Sequence, residues 1–303
     1  MALKLGTRGS DLARTQAMTV ARALDAGGFP TELRIIRTAG DDSAAASFAS
    51  IGPQGVFVRE IEQALVAGAV DLAVHSYKDL PTRSPPELVV AAVPQRRDPA
   101  DVLLVHESAF ADGAGVPVPL AAGARVGTSS ARRRAWLTHF RADLEPLALR
   151  GNVPTRIRRL QAREYDAIVL AAAGLERLRE TDVLEALLEG LVIERLDPLR
   201  FVPAPAQGAL AVQCRRDRSD ILAALGRLDD AATRAAVGAE REALAWAEGG
   251  CDVAFGAHCR AASAGFELVA MLERDGRVLT GAARGAAADA LAARACQALM
   301  DSA

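Results

Sequence analysis

The stretch DLAVHSYKDLP, residues 71–81, places a polar cluster directly after a short apolar strand. Residues 72–74 are apolar, residues 75–79 are polar, and Pro81 interrupts the pattern. Such a run is typical of a buried strand in a mostly parallel sheet, and ligands bind where the strands of such sheets end. The chain has 36 lysines and arginines, of which only Lys4 and Lys78 are lysines. The pair Lys78 and Asp79 is therefore either part of a binding site or a solvated ion pair.

The composition indicates a protein of two or three domains that binds small anions. The chain has 303 residues, half of them hydrophobic, and a formal net charge of −2. This length is sufficient for more than one hydrophobic core. The near-neutral charge argues against general binding of nucleic acid, whereas local clusters of arginine favour a small anionic ligand.

The termini and the cysteines indicate a reducing compartment. The first residues have no signal-peptide pattern, and no apolar segment is long enough to span a membrane, so we expect a cytoplasmic protein. The four cysteines, Cys214, Cys251, Cys259 and Cys296, are widely spaced and expected to be reduced. Cys214 and Cys296 are typical of core positions. Cys251, His258 and Cys259 lack a fourth partner at a suitable spacing, so no metal is expected.

Alternating strand and helix patterns predict parallel, doubly wound sheets. The first group has strands at 3–7, 32–37 and 72–74, and helices at 11–26 and 56–67. The second begins after residue 98, with strands at 102–105, 125–127 and 166–170, a basic helix at 154–163 and a turn at Ala173-Gly174. Residues 38–55 form a long, small and polar loop, which is typical of a functional or disordered segment.

The last part of the chain predicts a small α+β domain. A long alanine-rich helix at 231–247 precedes three short strands and a final helix at 286–300. A strand at 209–214 returns to the first sheet. We therefore expect three domains: residues 1–98 plus 203–222, residues 99–202, and residues 223–303.

Two similar strand ends indicate where an anion binds. GTRGS at 6–10 and GTSSAR at 127–132 each end a strand and begin a helix. A helix start offers backbone N–H groups and the positive end of the helix dipole to an anion. Arg132, Arg133, Arg150 and Arg156 lie at predicted strand ends, and arginine binds carboxylates and phosphates through paired hydrogen bonds.

Several motifs, in the order in which they occur, together resemble the porphobilinogen deaminase (hydroxymethylbilane synthase) family. They are TRGSDLA, GVFVREIE, DLAVHSYKDLP, RRDPADVLL, VGTSSARRR, LRGNVPTRI, YDAIVLAAAGLERL, AQGALAVQCR and EGGCDVAFG. The resemblance covers residues 7–256. It implies two α/β domains like those of periplasmic binding proteins, followed by the small α+β domain.

The resemblance also implies an enzyme of tetrapyrrole and heme biosynthesis. Such an enzyme is a transferase that joins four porphobilinogen molecules head to tail and releases four ammonia. Its product is the linear tetrapyrrole hydroxymethylbilane. A dipyrromethane cofactor, bound by a thioether to Cys251, is the primer, and no nucleic acid or membrane is a partner. Three domains with no obvious apolar surface helix are compatible with a monomer.

The family's functional residues match individual positions of this chain. Asp79 matches the catalytic aspartate, and Lys78 is implied to pair with a cofactor carboxylate. The remaining matches imply contacts with the carboxylates of the cofactor and the substrate. They are Arg8, Ser10, Gln16, Ser76, Thr128, Ser129, Ser130, Arg132, Arg133, Arg150, Gly151, Asn152, Arg156, Arg177, Gln207 and Gly208.

Two departures and two other functions stay open. Gln54 stands where the family usually has lysine, and Ala206 where it usually has glycine.

A cytoplasmic two-lobed protein that senses a carboxylated metabolite would account for the arginines equally well. It would not account for a cysteine in a glycine-flanked turn. A zinc hydrolase using Cys251, His258 and Cys259 is a weaker alternative.

Overall fold

A computed structural model describes residues 2–38, 58–111, 116–181, 184–247, 254–263 and 265–302. Contacts divide the chain into two compact units. The first unit is Met1–Arg97 with Gly208–Arg234, and the second is Asp98–Gln207 with Ala235–Ala303. The chain thus passes from one unit to the other at residues 97–98, at 207–208 and at 234–235.

The helices and strands follow the chain in this order. Up to residue 140 they are β1 Leu3–Thr7, α1 Asp11–Ala26, β2 Thr31–Ile35, α2 Arg59–Val66, β3 Leu72–Ser76, β4 Leu88–Ala92, β5 Asp101–His106, β6 Arg125–Gly127 and α3 Ala131–Phe140. Then come β7 Glu145–Leu147, α4 Val153–Gln161, β8 Ala167–Ala171, α5 Ala172–Arg179, α6 Glu185–Leu188, β9 Leu191–Arg195, β10 Leu210–Arg215 and α7 Ser219–Leu225. The last elements are α8 Ala231–Ala247, β11 Phe255–Ala262, β12 Gly265–Arg274, β13 Arg277–Gly285 and α9 Leu291–Asp301.

The first unit contains a sheet with the strand order β2-β1-β3-β10-β4. β1 is parallel to β2 and β3, and β10 is antiparallel to β3 and β4. The apolar residues of β1 and β3 are buried because α1 covers them: Leu5 and Leu72 pack in one cluster with Val20 and Leu24. This burial sets the register of the two parallel strands, so β1 and β3 end at the same edge of the sheet.

The second unit repeats this arrangement in a sheet with the order β7-β6-β8-β5-β9. β6 is parallel to β7 and β8, and β5 is antiparallel to β8 and β9. The two Gly-Thr sequences therefore occupy equivalent places, because each lies at the end of the middle parallel strand, β1 or β6. A helix begins four residues after the end of each strand, as predicted.

A third, antiparallel sheet also lies in the second unit, with the order β11-β12-β13. Helix α9 packs on it, and their shared core includes Cys259, Leu268, Cys296 and Leu299. Two five-stranded α/β sheets and this small sheet, counted over the described residues, confirm the expected fold class. The three domain boundaries stay a prediction.

The structure corrects the predicted turn at Ala173-Gly174. These residues lie inside α5, where Leu175 and Leu178 are buried and favour continuation of the helix through the glycine. The short elements α7 and β9 have no clear periodicity and were not predicted. Of the predicted loop 38–55, only Thr38 is described, and Gln54 lies outside the described residues.

The predicted core positions of Cys214 and Cys296 are confirmed. Both residues are fully buried, Cys214 in β10 and Cys296 in α9. Burial raises the pKa of each thiol to about 11. Neither thiol therefore ionises near neutral pH, which makes both poor nucleophiles.

We expect Ala206→Gly to stabilise the protein by roughly 0.5–1 kcal/mol, because Ala206 has a φ of +61°, where a Cβ atom is strained. Equilibrium unfolding in urea measures the change. Ala23→Gly, on the exposed face of α1, is the matched control and should destabilise by about 1 kcal/mol. Equal losses in the two variants would contradict the strain at Ala206.

Candidate active site

In the first unit, the polar residues of β1 and β3 lie at one edge of the sheet. Arg8 follows β1, and the Ser10 hydroxyl caps α1 by accepting a hydrogen bond from the backbone N–H of Ala13 at 3.4 Å. β3 ends at Ser76 and continues into the 3-10 turn Tyr77–Asp79. Because β1 and β3 are parallel neighbours, Arg8 and Asp79 belong to the same edge.

The side chain of Ser76 is held in place by a hydrogen bond from helix α1. The Gln16 amide, which is nearly buried, donates a hydrogen bond from Nε2 to Ser76 Oγ at 2.8 Å. The turn after Ser76 is held because the Tyr77 N–H donates to the Ala209 carbonyl at 3.0 Å. Asp79 is exposed and Lys78 is half-buried, so the carboxylate of Asp79 is accessible to a ligand at this edge.

In the second unit, the 128–130 turn joins β6 to α3. Thr128 Oγ1 accepts from the N–H of Ser130 at 3.2 Å, and Ser130 Oγ caps α3 by accepting from the N–H of Arg133. Ser129 Oγ donates to the Leu149 carbonyl at 2.8 Å, which ties the turn to the segment after β7. Local hydrogen bonds therefore fix the geometry of a helix start at the edge of the sheet.

A second helix start lies at the same edge, after β7. Asn152 caps α4 by accepting a hydrogen bond from the Thr155 N–H at 2.9 Å, and Arg150 beside it is exposed. Gly151 has a φ of +108°, and a Cβ atom there would lie 2.9 Å from the Thr155 side chain. Arg156 Nε donates to the Gly151 carbonyl at 2.7 Å. The edge thus combines two positive helix ends with arginines.

Arg132 and Arg133 are buried and hydrogen-bonded to Asp101 at the start of β5. Arg132 Nη2 lies 2.8 Å from Asp101 Oδ2, and Arg133 Nη2 lies 2.7 Å from Asp101 Oδ1. Burial opposes ionisation of Asp101, but the two guanidinium charges hold its pKa well below the usual range. Asp101 is therefore a carboxylate at all ordinary pH values.

The other predicted residues of this unit lie in its interior. Gln207 is fully buried, and its Nε2 donates to the Pro99 carbonyl and to Asp101 Oδ1. Arg177 is buried in α5, directly after β8. Gly208, with a φ of +89°, belongs to the first unit. Sequence reasoning missed Asp101, although an acidic residue opening the apolar stretch DVLLV was an available signal.

Comparisons with known proteins identify the family of the chain. A family model described as "Porphobilinogen deaminase, dipyromethane cofactor binding domain" matches residues 3–223. The porphobilinogen deaminase of Nocardia farcinica is 44% identical over 299 residues, which are 99% of this chain and 77% of that protein. The enzyme of Mycobacterium leprae is 45% identical over 299 residues, 99% and 85% of the two chains. The chain belongs to the porphobilinogen deaminase family.

Membership of the porphobilinogen deaminase family confirms the function expected from the sequence. The chain is a transferase of porphyrin biosynthesis that polymerises porphobilinogen to hydroxymethylbilane with a dipyrromethane cofactor. A solved periplasmic VFT2 domain of BvgS from Bordetella pertussis also matches, with a TM-score of 0.43 and 14% identity over 75% of this chain and 86% of that one. That similarity says nothing about the ligand of either protein.

The described residues of this chain suit a cofactor that carries several carboxylates. Two capped helix starts and the exposed Arg150 lie at the sheet edge of the second unit. Arg8 and Lys78 lie at the sheet edge of the first unit. The expected attachment residue, Cys251, lies outside the described residues. No helix of the described ranges has the length and hydropathy needed to cross a membrane.

His75, four residues before Asp79, is a buried titratable group in β3, the strand that leads into the Tyr77–Asp79 turn. Its ring lies next to Gln213, whose Nε2 donates to Glu62 Oε1 at 2.9 Å. Burial lowers the pKa of His75 from 6.5 to about 4, and the contact with Gln213 only partly opposes this shift. The imidazole is therefore neutral at physiological pH, and β3 carries no charge immediately before the Tyr77–Asp79 turn.

We expect His75 to make stability depend on pH. Between pH 6.5 and 4 the unfolded chain binds a proton at this histidine and the folded protein does not, so stability falls as the pH decreases through this range. The loss amounts to roughly 3 kcal/mol. When the free energy of unfolding in urea is measured at several pH values in this range, its slope against pH should therefore be smaller for His75→Gln than for the parent. His139→Gln, at an exposed ring, should keep the slope of the parent. Equal slopes in the parent and His75→Gln would contradict the assignment.

Proposed function

We propose that Asp79 is the catalytic residue with which the chain joins four porphobilinogen molecules and releases four ammonia. The observation that carries this proposal is the position of Asp79: an exposed carboxylate at the end of a buried parallel strand, at the edge that also carries Arg8. The reaction needs an accessible carboxylate to act on the positive charge that develops. It also needs cationic groups nearby, because the substrate is a pyrrole that bears an acetate and a propionate.

Asp79 acts on the positive charge that develops during the reaction. Loss of ammonia from the aminomethyl group leaves a cationic pyrrole, which the free α-carbon of the terminal pyrrole attacks. A carboxylate near the pyrrole nitrogens stabilises that cation and accepts the proton released on bond formation. The stabilisation is greater in the transition state than in the ground state, so it raises kcat.

The substrate carboxylates are bound by the helix starts and the arginines of the two edges. Ser10 and Gln16 support the first edge, and residues 128–130 support the second. The cationic groups of this set are Arg8, Lys78, Arg132, Arg133, Arg150, Arg156 and Arg177, with further polar contacts from Ser76, Gly151, Asn152, Gln207 and Gly208. Lys78 holds a carboxylate of the cofactor, and its neighbour Asp79 remains available for catalysis.

Cys251 attaches the dipyrromethane cofactor through a thioether, and the cofactor supplies the primer to which the substrate units are added. The residues of the chain then bind carboxylates, orient the rings and move protons. We further propose a cytoplasmic, monomeric protein whose partner is porphobilinogen and not nucleic acid or membrane.

Replacement of Asp79 by Asn should leave the cofactor in place and lower the single-turnover rate by at least about 100-fold, because a neutral amide cannot stabilise the cation. Rapid-quench measurement of porphobilinogen consumption gives this rate. Asp25→Asn is the matched control, because Asp25 is exposed and bonds to Thr31 at the opposite end of the strands. A rate for Asp79→Asn within threefold of the parent rules out the catalytic role.

Intact-protein mass spectrometry tests the attachment. The parent protein and Cys296→Ser should carry the extra mass of two pyrrole units, and Cys251→Ser should lack it. Cys296 is a suitable control because its thiol is buried in the core. A parent protein without added mass would favour the sensor of carboxylated metabolites instead. Retention of the mass in Cys251→Ser would place the attachment elsewhere.

A further inference from the structure

Asp101 joins four separate segments of the second unit through its carboxylate and the two arginines bound to it. The residue is fully buried at the start of β5 and accepts hydrogen bonds from Arg132, Arg133 and Gln207. Arg133 Nη1 also donates to the Val169 carbonyl in β8 at 2.9 Å. The first turn of α3 is thereby bound to two strands and to the segment that precedes β10.

The network also reaches the strand that follows Cys251 in the sequence. Arg132 Nη1 donates to the Val202 carbonyl at 2.8 Å, and Gly256 in β11 packs on both of these residues. A Cβ atom at Gly256 would lie 2.9 Å from the Val202 oxygen and 3.1 Å from Arg132 Cδ. The Ala257 N–H donates to the Pro203 carbonyl at 3.0 Å. Arg132 therefore contacts both the 201–203 segment and the start of β11.

The charges of this network are unequal. Two guanidinium groups face one carboxylate at a buried site, which leaves a net positive charge directly behind the start of α3. The positive end of the α3 dipole lies at the same place, so the charge favours an anion bound at the 128–130 turn. The bonds of Arg133 to Asp101 and Val169 use its Nε and both terminal nitrogens, which makes this side chain a structural support of the turn.

We propose that Asp101 is a positioning residue of this enzyme, which holds the 128–130 turn in the geometry that binds substrate carboxylates. It acts through Arg132 and Arg133 and does not touch the substrate. The inference rests on the proposed function, in which this turn binds carboxylates. In this role Arg133 supports the turn through its bonds to Asp101 and Val169, in addition to the positive charge that it contributes to carboxylate binding.

Asp101→Asn tests the role, because asparagine keeps the shape and removes the charge. Loss of the carboxylate leaves two buried cations without a counter-ion, and we expect the unfolding midpoint to fall by roughly 10 °C. Below that midpoint, the KM for porphobilinogen should rise about tenfold with kcat within about twofold of the parent. A purely structural role would lower the active fraction, and so the apparent kcat, without changing KM.

Asp143→Asn is the matched control. Asp143 also pairs with an arginine of the second unit, Arg141, but the pair is partly exposed and lies away from the 128–130 turn. Both its KM and its unfolding midpoint should stay close to those of the parent.

If Asp101→Asn does not fold, Asp101→Glu takes its place, because it keeps the charge and displaces the carboxylate by one methylene. Its KM should rise about threefold with kcat unchanged. The positioning role would be overturned if the variant that folds had a KM within 1.5-fold of the parent. It would also be overturned if neither Asp101→Asn nor Asp101→Glu folded. A parent enzyme that carries no cofactor and consumes no porphobilinogen would instead overturn the proposed function.

Discussion

The parallel order of three strands in each five-stranded sheet determines where this protein can bind a ligand. In the first sheet β1, β2 and β3 end at one edge, and in the second sheet β6, β7 and β8 do the same. Parallel strands bury their apolar residues on both faces, so polar residues collect where the strands stop. Each of these edges also carries at least one capped helix start. In the proposed function, carboxylates are thus bound mainly by fixed backbone geometry and local caps.

The buried ion network behind the second edge is costly by itself. Moving a carboxylate and two guanidinium groups out of water costs several kcal/mol per ion, which the mutual attraction and the hydrogen bonds must offset. Here the Val169 and Val202 carbonyls accept hydrogen bonds from arginine donors that Asp101 does not bind, and Gln207 donates a further hydrogen bond to Asp101. An apolar cluster at this place would stabilise the fold equally well, but it would supply no positive charge behind a carboxylate-binding turn. On the role proposed for Asp101, the network therefore serves binding more than stability.

The sequence predicted the strands and helices that have strong periodicity. The bounds of three elements were predicted within a few residues: the strand after Asp71, the capped α1 and the alanine-rich α8. In these elements the pattern of apolar residues and the residues at the ends indicate the same structure. The turn at Ala173-Gly174 was wrong because buried leucines override a single glycine. The burial of Arg132 and Arg133 was not predicted, since sequence shows the residue type and not the burial; their contact with a ligand stays a prediction. Asp101 was missed for the same reason: its partners are 31 residues and more away along the chain.

Hydrogen–deuterium exchange of the cofactor-bound enzyme, with and without porphobilinogen, tests the location of the site most directly. We expect slower exchange at four segments: residues 6–10, 76–79, 127–133 and 149–156. These segments are the strand ends and helix starts of the two edges, and the rest of both sheets should remain unchanged. Slower exchange confined to other parts of the chain, or no change while porphobilinogen is consumed, would contradict binding at these strand ends and helix starts.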